Sequence, residues 1–273
     1  MFKGCTSLVT APSLPAMELQ SGSYYSMFEE CTSLTTVPTL SATTLESSCY
    51  SHMFKGCTSL VTAPELPATT LASSCYAYMF MECTSLTASP ELPATTLASS
   101  CYTFMFSGCT NLTSALSELP AITLASSCYK YMFGGCTSLT TAPKLPATTL
   151  ASDCYERMFD GCINLTSAPS ELPATTLASA CYGAMFDGCT SLVTAPELPA
   201  IRLADYCYSG MFRGCTSLNY IKALFRTTPS TTYTNEWVSG VAATGTFVKN
   251  SEATWTTTGV NGIPTGWTVE TNA

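Results

Sequence analysis

The sequence predicts an α/β repeat solenoid, and three observations predict it. The pair Met-Phe recurs nine times, at Met1, Met27, Met53, Met79, Met105, Met132, Met158, Met185 and Met211. The steps between copies are 26 or 27 residues throughout. Each copy also carries ordered columns of Cys, Tyr, Leu and Pro, as expected where one supersecondary unit is stacked on the next. Such a unit cannot bury its apolar face alone, so the stack is the core. Function is then to be sought on a long repeated surface. The array is expected over residues 1–218, followed by a non-repetitive C-terminal cap with short strands over 219–273.

Residues 57–82 represent one unit of about 26 residues. Cys57–Ala63 is rich in β-compatible residues and is stopped by Pro64, which predicts a short strand whose copies stack in parallel. Pro64 and Pro67 lack a donor N–H, so Glu65-Leu66-Pro67 is expected to turn. Thr69 and Thr70 offer an N-cap, and Leu71, Cys75 and Met79 then fall at i, i+4 and i+8, one face of a short helix. A Gly follows the Phe by two positions in seven of nine copies, suiting a left-handed residue that ends the helix. Glu30 and Glu82 replace it in the other two, so the left-handed conformation is not expected in every copy.

Met53-Phe54-Lys55-Gly56-Cys57-Thr58-Ser59-Leu60, read with its eight sister copies, resembles the BspA-like class of bacterial leucine-rich repeats. That class has an Ala-Phe-x-x-Cys-x-x-Leu signature, in which Met here replaces Ala. The tail segments Trp237-Val238-Ser239-Gly240-Val241 and Gly262-Ile263-Pro264-Thr265-Gly266-Trp267 resemble endings of Bacteroides-type surface proteins. Two departures stand out: the period is a few residues longer than usual for the class, and Cys75-Tyr76 stands where the class tends to have Ile-Gly. The resemblance implies a leucine-rich-repeat array, displayed on a cell surface or secreted. It also implies a non-catalytic binding scaffold or adhesin for host matrix proteins, other cells or polysaccharides. A structural spacer and a phage receptor-binding protein are the alternatives.

The bulk composition fits that picture. With 46% hydrophobic and 10% charged residues the chain has ample surface to bury. A net charge of −8 argues against nucleic acid, which needs a basic stripe to displace counterions. No run of 18 apolar residues exists to cross a membrane as a helix, and the first residues show no basic region followed by an apolar stretch, so no signal peptide is expected here. Met1 falls mid-repeat, so the chain is expected to be a fragment of a longer array. No nucleophile elbow, phosphate loop or zinc-protease motif occurs, and the single His52 lies at a variable position. Neither an enzyme nor a cofactor is expected.

All sixteen Cys fall into two columns, one after Met-Phe and one before Tyr. Residues repeating in register stack inside a solenoid, where a thiol serves as a small hydrophobe. Disulfides between stacked neighbours and, less so, zinc are the competing readings. The Tyr column (Tyr24, Tyr50, Tyr76, Tyr102, Tyr129, Tyr155, Tyr182, Tyr208) is expected to be packing between repeats. Binding is expected where copies differ. The residue before Met-Phe reads Ser26, His52, Tyr78, Phe104, Tyr131, Arg157, Ala184, Gly210. Tyr78, Phe104 and Tyr131, flanked by His52 and Arg157, are the candidate binding strip, since exposed aromatics make good contacts to proteins or sugars. The residue between Phe and Gly (Lys3, Glu29, Lys55 and onward) is expected to be solvated. Glu65, Glu91, Glu118, Glu171 and Glu197 form a weak acidic edge.

Overall fold

A computed structural model of the chain describes residues 1–272. Successive repeats form parallel coils, each hydrogen-bonded to the next. The segment expected to be a helix is instead a ribbon of tight turns. In the coil around Met53, the N–H groups of Ser48, Tyr50, His52, Phe54 and Gly56 donate to the carbonyls of Ser73, Cys75, Ala77, Met79 and Met81 in the following coil, at 2.8–3.0 Å. The intervening Ser51, Met53, Lys55 and Cys57 donate three residues back, to Ser48, Tyr50, His52 and Phe54, at 3.0–3.2 Å. Half of the ribbon's amides therefore bind the stack together and half close its turns.

Closing turns in this way forces every fourth residue into the left-handed region: Ser48 at φ +57°, His52 at +59° and Gly56 at +71°. Glu30 and Glu82 adopt it too, both at φ +61°, so the conformation is required in those copies as well. A helix loses here for two reasons. Its i→i−4 bonds would leave no amides to join the coils. A ten-residue segment rich in Ser, Cys and Tyr is also too short and too poor in helix formers to hold by itself.

The expected repeat strand is present only as single-residue parallel bridges, such as Thr10↔Thr36, Ala88↔Ser114, Thr141↔Ser167 and Thr194↔Tyr220. The proline segment runs extended without turning. Pro64, Leu66 and Ala68 are buried while Glu65, Pro67 and Thr69 face outward, the period-2 alternation of an edge.

Regular strands appear after the last Met-Phe copy: β1 (Tyr220–Ala223), β2 (Thr246–Asn250) and β3 (Thr268–Asn272), paired in parallel in that order. The tail sequence also predicts a short helix starting at Asn235-Glu236-Trp237-Val238; that segment lies in turns, and a four-residue helix, α1 (Thr231–Thr234), precedes it. Glu236 and Gly240 keep the left-handed positions 26 residues beyond Gly210 and Gly214, and the Phe212 N–H donates to the Trp237 carbonyl at 2.8 Å. The segment after residue 218 thus extends the same stack with different packing residues.

The core is a set of ladders. Phe rings stack from Phe2 to Phe212 with centroids 5.5–5.9 Å apart. Tyr rings stack from Tyr24 to Tyr208 at 5.6–6.0 Å. All sixteen cysteines are free thiols, fifteen of them buried. In the column after Met-Phe each thiol from Cys31 onward donates to the Phe carbonyl of the preceding repeat, as Cys57 Sγ does to Phe28 O at 3.1 Å and Cys109 Sγ to Phe80 O at 3.0 Å. The thiol is thus both a small hydrophobe and a hydrogen-bond donor between coils.

Candidate functional site

The turn ribbon decides where variable side chains can go. Its buried pairs, Cys-Tyr and Met-Phe, point inward, and the left-handed residue between them projects outward. His52, Tyr78, Phe104, Tyr131 and Arg157 all occupy that position, at φ +54° to +59°. Because the coils are in register, these five side chains meet as one column. His52 stacks on Tyr78 at 4.4 Å, Tyr78 on Phe104 at 5.0 Å and Phe104 on Tyr131 at 4.7 Å, with ring planes within 15°. The Arg157 guanidinium lies over the Tyr131 ring at 5.9 Å. All five are half-buried.

Neighbours fix the column at both ends. Tyr25 tilts over His52 at 5.3 Å, and Ser51 Oγ pairs with His52 Nδ1 at 2.8 Å. Burial pushes the His52 imidazole below its ordinary pKa. At the other end Asp160 accepts hydrogen bonds from Arg157 at 2.6 Å and from the Tyr131 hydroxyl at 3.1 Å. Burial, and then that carboxylate, raise the Tyr131 phenol pKa. Gly134 lies directly under the Tyr131 ring, where any Cβ would collide with it.

The sequence pattern selected all five members but missed Tyr25, Asp160 and Gly134. Asp160 was within reach as the residue three beyond Arg157. Tyr25 sits one place before its column and gave no signal. The residues between Phe and Gly are also more organised than a solvated column. Glu29 is buried and pairs with Lys3 at 2.7 Å and Lys55 at 4.0 Å, and Arg213 pairs with Asp187. At the acidic edge, Glu197 pairs with Lys222 at 3.0 Å.

The geometry constrains what the column can bind. Ring faces are covered by the next ring, by Tyr25 or by Arg157, so the column offers ring edges, hydroxyls and a guanidinium. Sugar stacking needs an open ring face. Edges and polar tips suit a protein surface. Among the described residues no helix is long and apolar enough to cross a membrane. No cluster of three or more His, Cys, Asp or Glu among them is placed to hold a metal ion.

No curated protein matches the chain. Among solved structures, a leucine-rich repeat protein from Bacteroides ovatus ATCC 8483 is 17% identical, with a TM-score of 0.44, and the alignment covers 98% of this chain and 76% of that one. The family described as the BspA type leucine rich repeat region (6 copies) matches residues 1–113, 25–166 and 99–234. Those matches together run from the first Met-Phe copy into the coil of Trp237, and the chain belongs to the BspA-type leucine-rich repeat family.

Proposed function

We propose that this chain is a non-catalytic scaffold, displayed outside the cell, that binds a protein partner through the edge of the aromatic column. The observation that carries the reading is the column itself. The ribbon imposes the left-handed backbone at this position in every coil, and Ala184 and Gly210 meet it without a large side chain. Four successive coils nevertheless place His52, Tyr78, Phe104 and Tyr131 there. The core columns need none of these rings, since the Phe and Tyr ladders run on beneath Ala184 and Gly210 unchanged. Large aromatics held on a rigid repeated frame lose little entropy on binding, which favours them as contact anchors.

Family membership supports the coarser half of the proposal, a repeat scaffold for protein interaction. The adhesin role, with host matrix proteins as ligands, is the finer half. Display in many copies would strengthen weak contacts through multivalency. The test is a binding panel of the purified chain against immobilised matrix glycoproteins and mucosal or bacterial polysaccharides. Saturable binding to a glycoprotein that survives removal of its glycans supports the proposal. Binding to a polysaccharide alone, or to nothing in the panel, overturns it, the latter in favour of a spacer.

A further inference from the structure

Past Arg157 the aromatic column ends, but its backbone does not. The next two coils place Ala184 and Gly210 at the positions that carried rings, with φ +50° and +63°. A Cβ added to Gly210 would lie 3.7 Å from the Ala184 Cβ, so the register of the column persists while its side chains vanish. What remains is a recess of about 390 Å³ with Gly183 and Ala184 in its lining. Arg157 borders it on one side and Tyr206, 54% exposed, on the other, with Asp153 and Glu156 also in its lining.

We propose that this recess receives one aromatic side chain of the protein partner, seated over Ala184 with its ring against the Arg157 guanidinium. The inference rests on the protein-binding reading above and names the partner's anchor. Three features select that occupant. The guanidinium is held in place by Asp160 at 2.6 Å and already lies over one ring, Tyr131, so a second ring on its open side continues an existing stack. The lining at Ala180, Gly183 and Ala184 is small and apolar, which lets a flat ring approach, while Ser179 and Ser209 supply its polar part. The spacing is also right, since rings within the column sit 4.4–5.0 Å apart, about one coil step each.

The test uses p-cresol and indole as probes, cyclohexylmethanol as a saturated control, and NMR of the full chain labelled at its alanine methyls. The aromatic probes are expected to shift the Ala184 and Ala180 methyls upfield and saturably, and the control is not. Arg157→Ala should weaken probe binding about three- to tenfold, the range a cation–π contact supports. Ala184→Phe should abolish it by filling the recess in cis, and it folds because Phe104 holds the same conformation at φ +54°. Equal shifts from the saturated control, or undiminished binding in Ala184→Phe, would overturn the proposal. Probe binding alongside a barren ligand panel sinks the protein-binding reading while the recess stands. A partner whose affinity ignores Ala184→Phe does the reverse.

Discussion

At the level of single residues, the columns were legible wherever identity repeated, because a side chain that stacks on its own copy has little freedom to vary. Beyond the first coils, the Cys, Tyr, Met and Phe columns are buried as that argument requires. Their chemistry follows from burial. The thiol of Cys49 is pushed up to about 11 and those of Cys57 and Cys101 to about 12, because the thiolate cannot be solvated inside the stack. Cys5 alone is exposed. A thiol-reactive dye added to the native protein at neutral pH should therefore label one of the sixteen cysteines rapidly, and all sixteen only in denaturant. Rapid labelling of many would mean that the ladders open.

His52 gives a second test at this scale. Burial lowers its folded pKa, so between the folded and unfolded values the unfolded chain binds more protons and stability rises with pH. Lowering the pH through about 6.5, the unfolded His value, should weaken the fold progressively until the folded pKa is passed. His52→Phe should flatten that dependence. An imidazole titrating at or above the unfolded value in an NMR series would refute the assignment.

At the level of elements, the repeat length and the parallel stacking were legible, and the helix was not. The failure is instructive because the sequence contained the correction. Leu71, Cys75, Met79 and Cys83 are all buried, at strict four-residue spacing. On a straight α-helix three steps of four residues drift by about 120°, which would carry Cys83 off the face that buries Leu71. A turn ribbon with a left-handed residue every fourth place has no such drift. The single-residue bridges and the extended proline segment were misread for a related reason: hydrogen bonds between coils cannot be seen in one repeat taken alone.

The ribbon makes opposite predictions for two substitutions in one column. Gly161 has φ +71°, and a Cβ there would meet only ordinary contacts at 3.8 Å. Gly161→Ala should therefore cost about 1 kcal/mol through backbone strain alone. Glu82, at φ +61°, already carries that strain, so Glu82→Gly should be neutral or stabilising by up to about 1 kcal/mol. Urea midpoints measured on both variants decide the point. Loss of stability in both would show that the Glu82 side chain, not its backbone, matters.

For the whole molecule, the end of the stack is where sequence and structure differ most in emphasis. Trp and Val replace the Met-Phe pair at Trp237 and Val238, so a search for repeats stops one coil too early. Trp237 is fully buried, touches Tyr208, Phe212, Phe225 and Phe247, and donates from Nε1 to the Gly262 carbonyl at 2.8 Å. Phe225 in turn stacks on Trp255 at 5.1 Å. We propose that this cluster is the cap that closes the Tyr and Phe ladders. Trp237→Ala should cost about 3–5 kcal/mol, with hydrogen exchange accelerating first in the coils nearest the C-terminal end. Uniform acceleration along the array would contradict that local role.

Of the candidate site, the five chosen residues were legible as a variable column, but their contact was not, because only the left-handed backbone turns them outward into one line. We propose that the ladders maintain the array while the outer column recognises a partner. The most direct test measures affinity and unfolding midpoint together on three proteins: wild type, the Tyr78/Phe104/Tyr131 triple-Ala variant and the core variant Phe106→Ala. The triple variant should stay folded, lose less stability than the single core change, and bind its partner at least about tenfold more weakly, as hot-spot anchors do. A triple variant that binds as tightly as wild type, or one that unfolds as readily as Phe106→Ala, would contradict the division of labour between the two sets of rings.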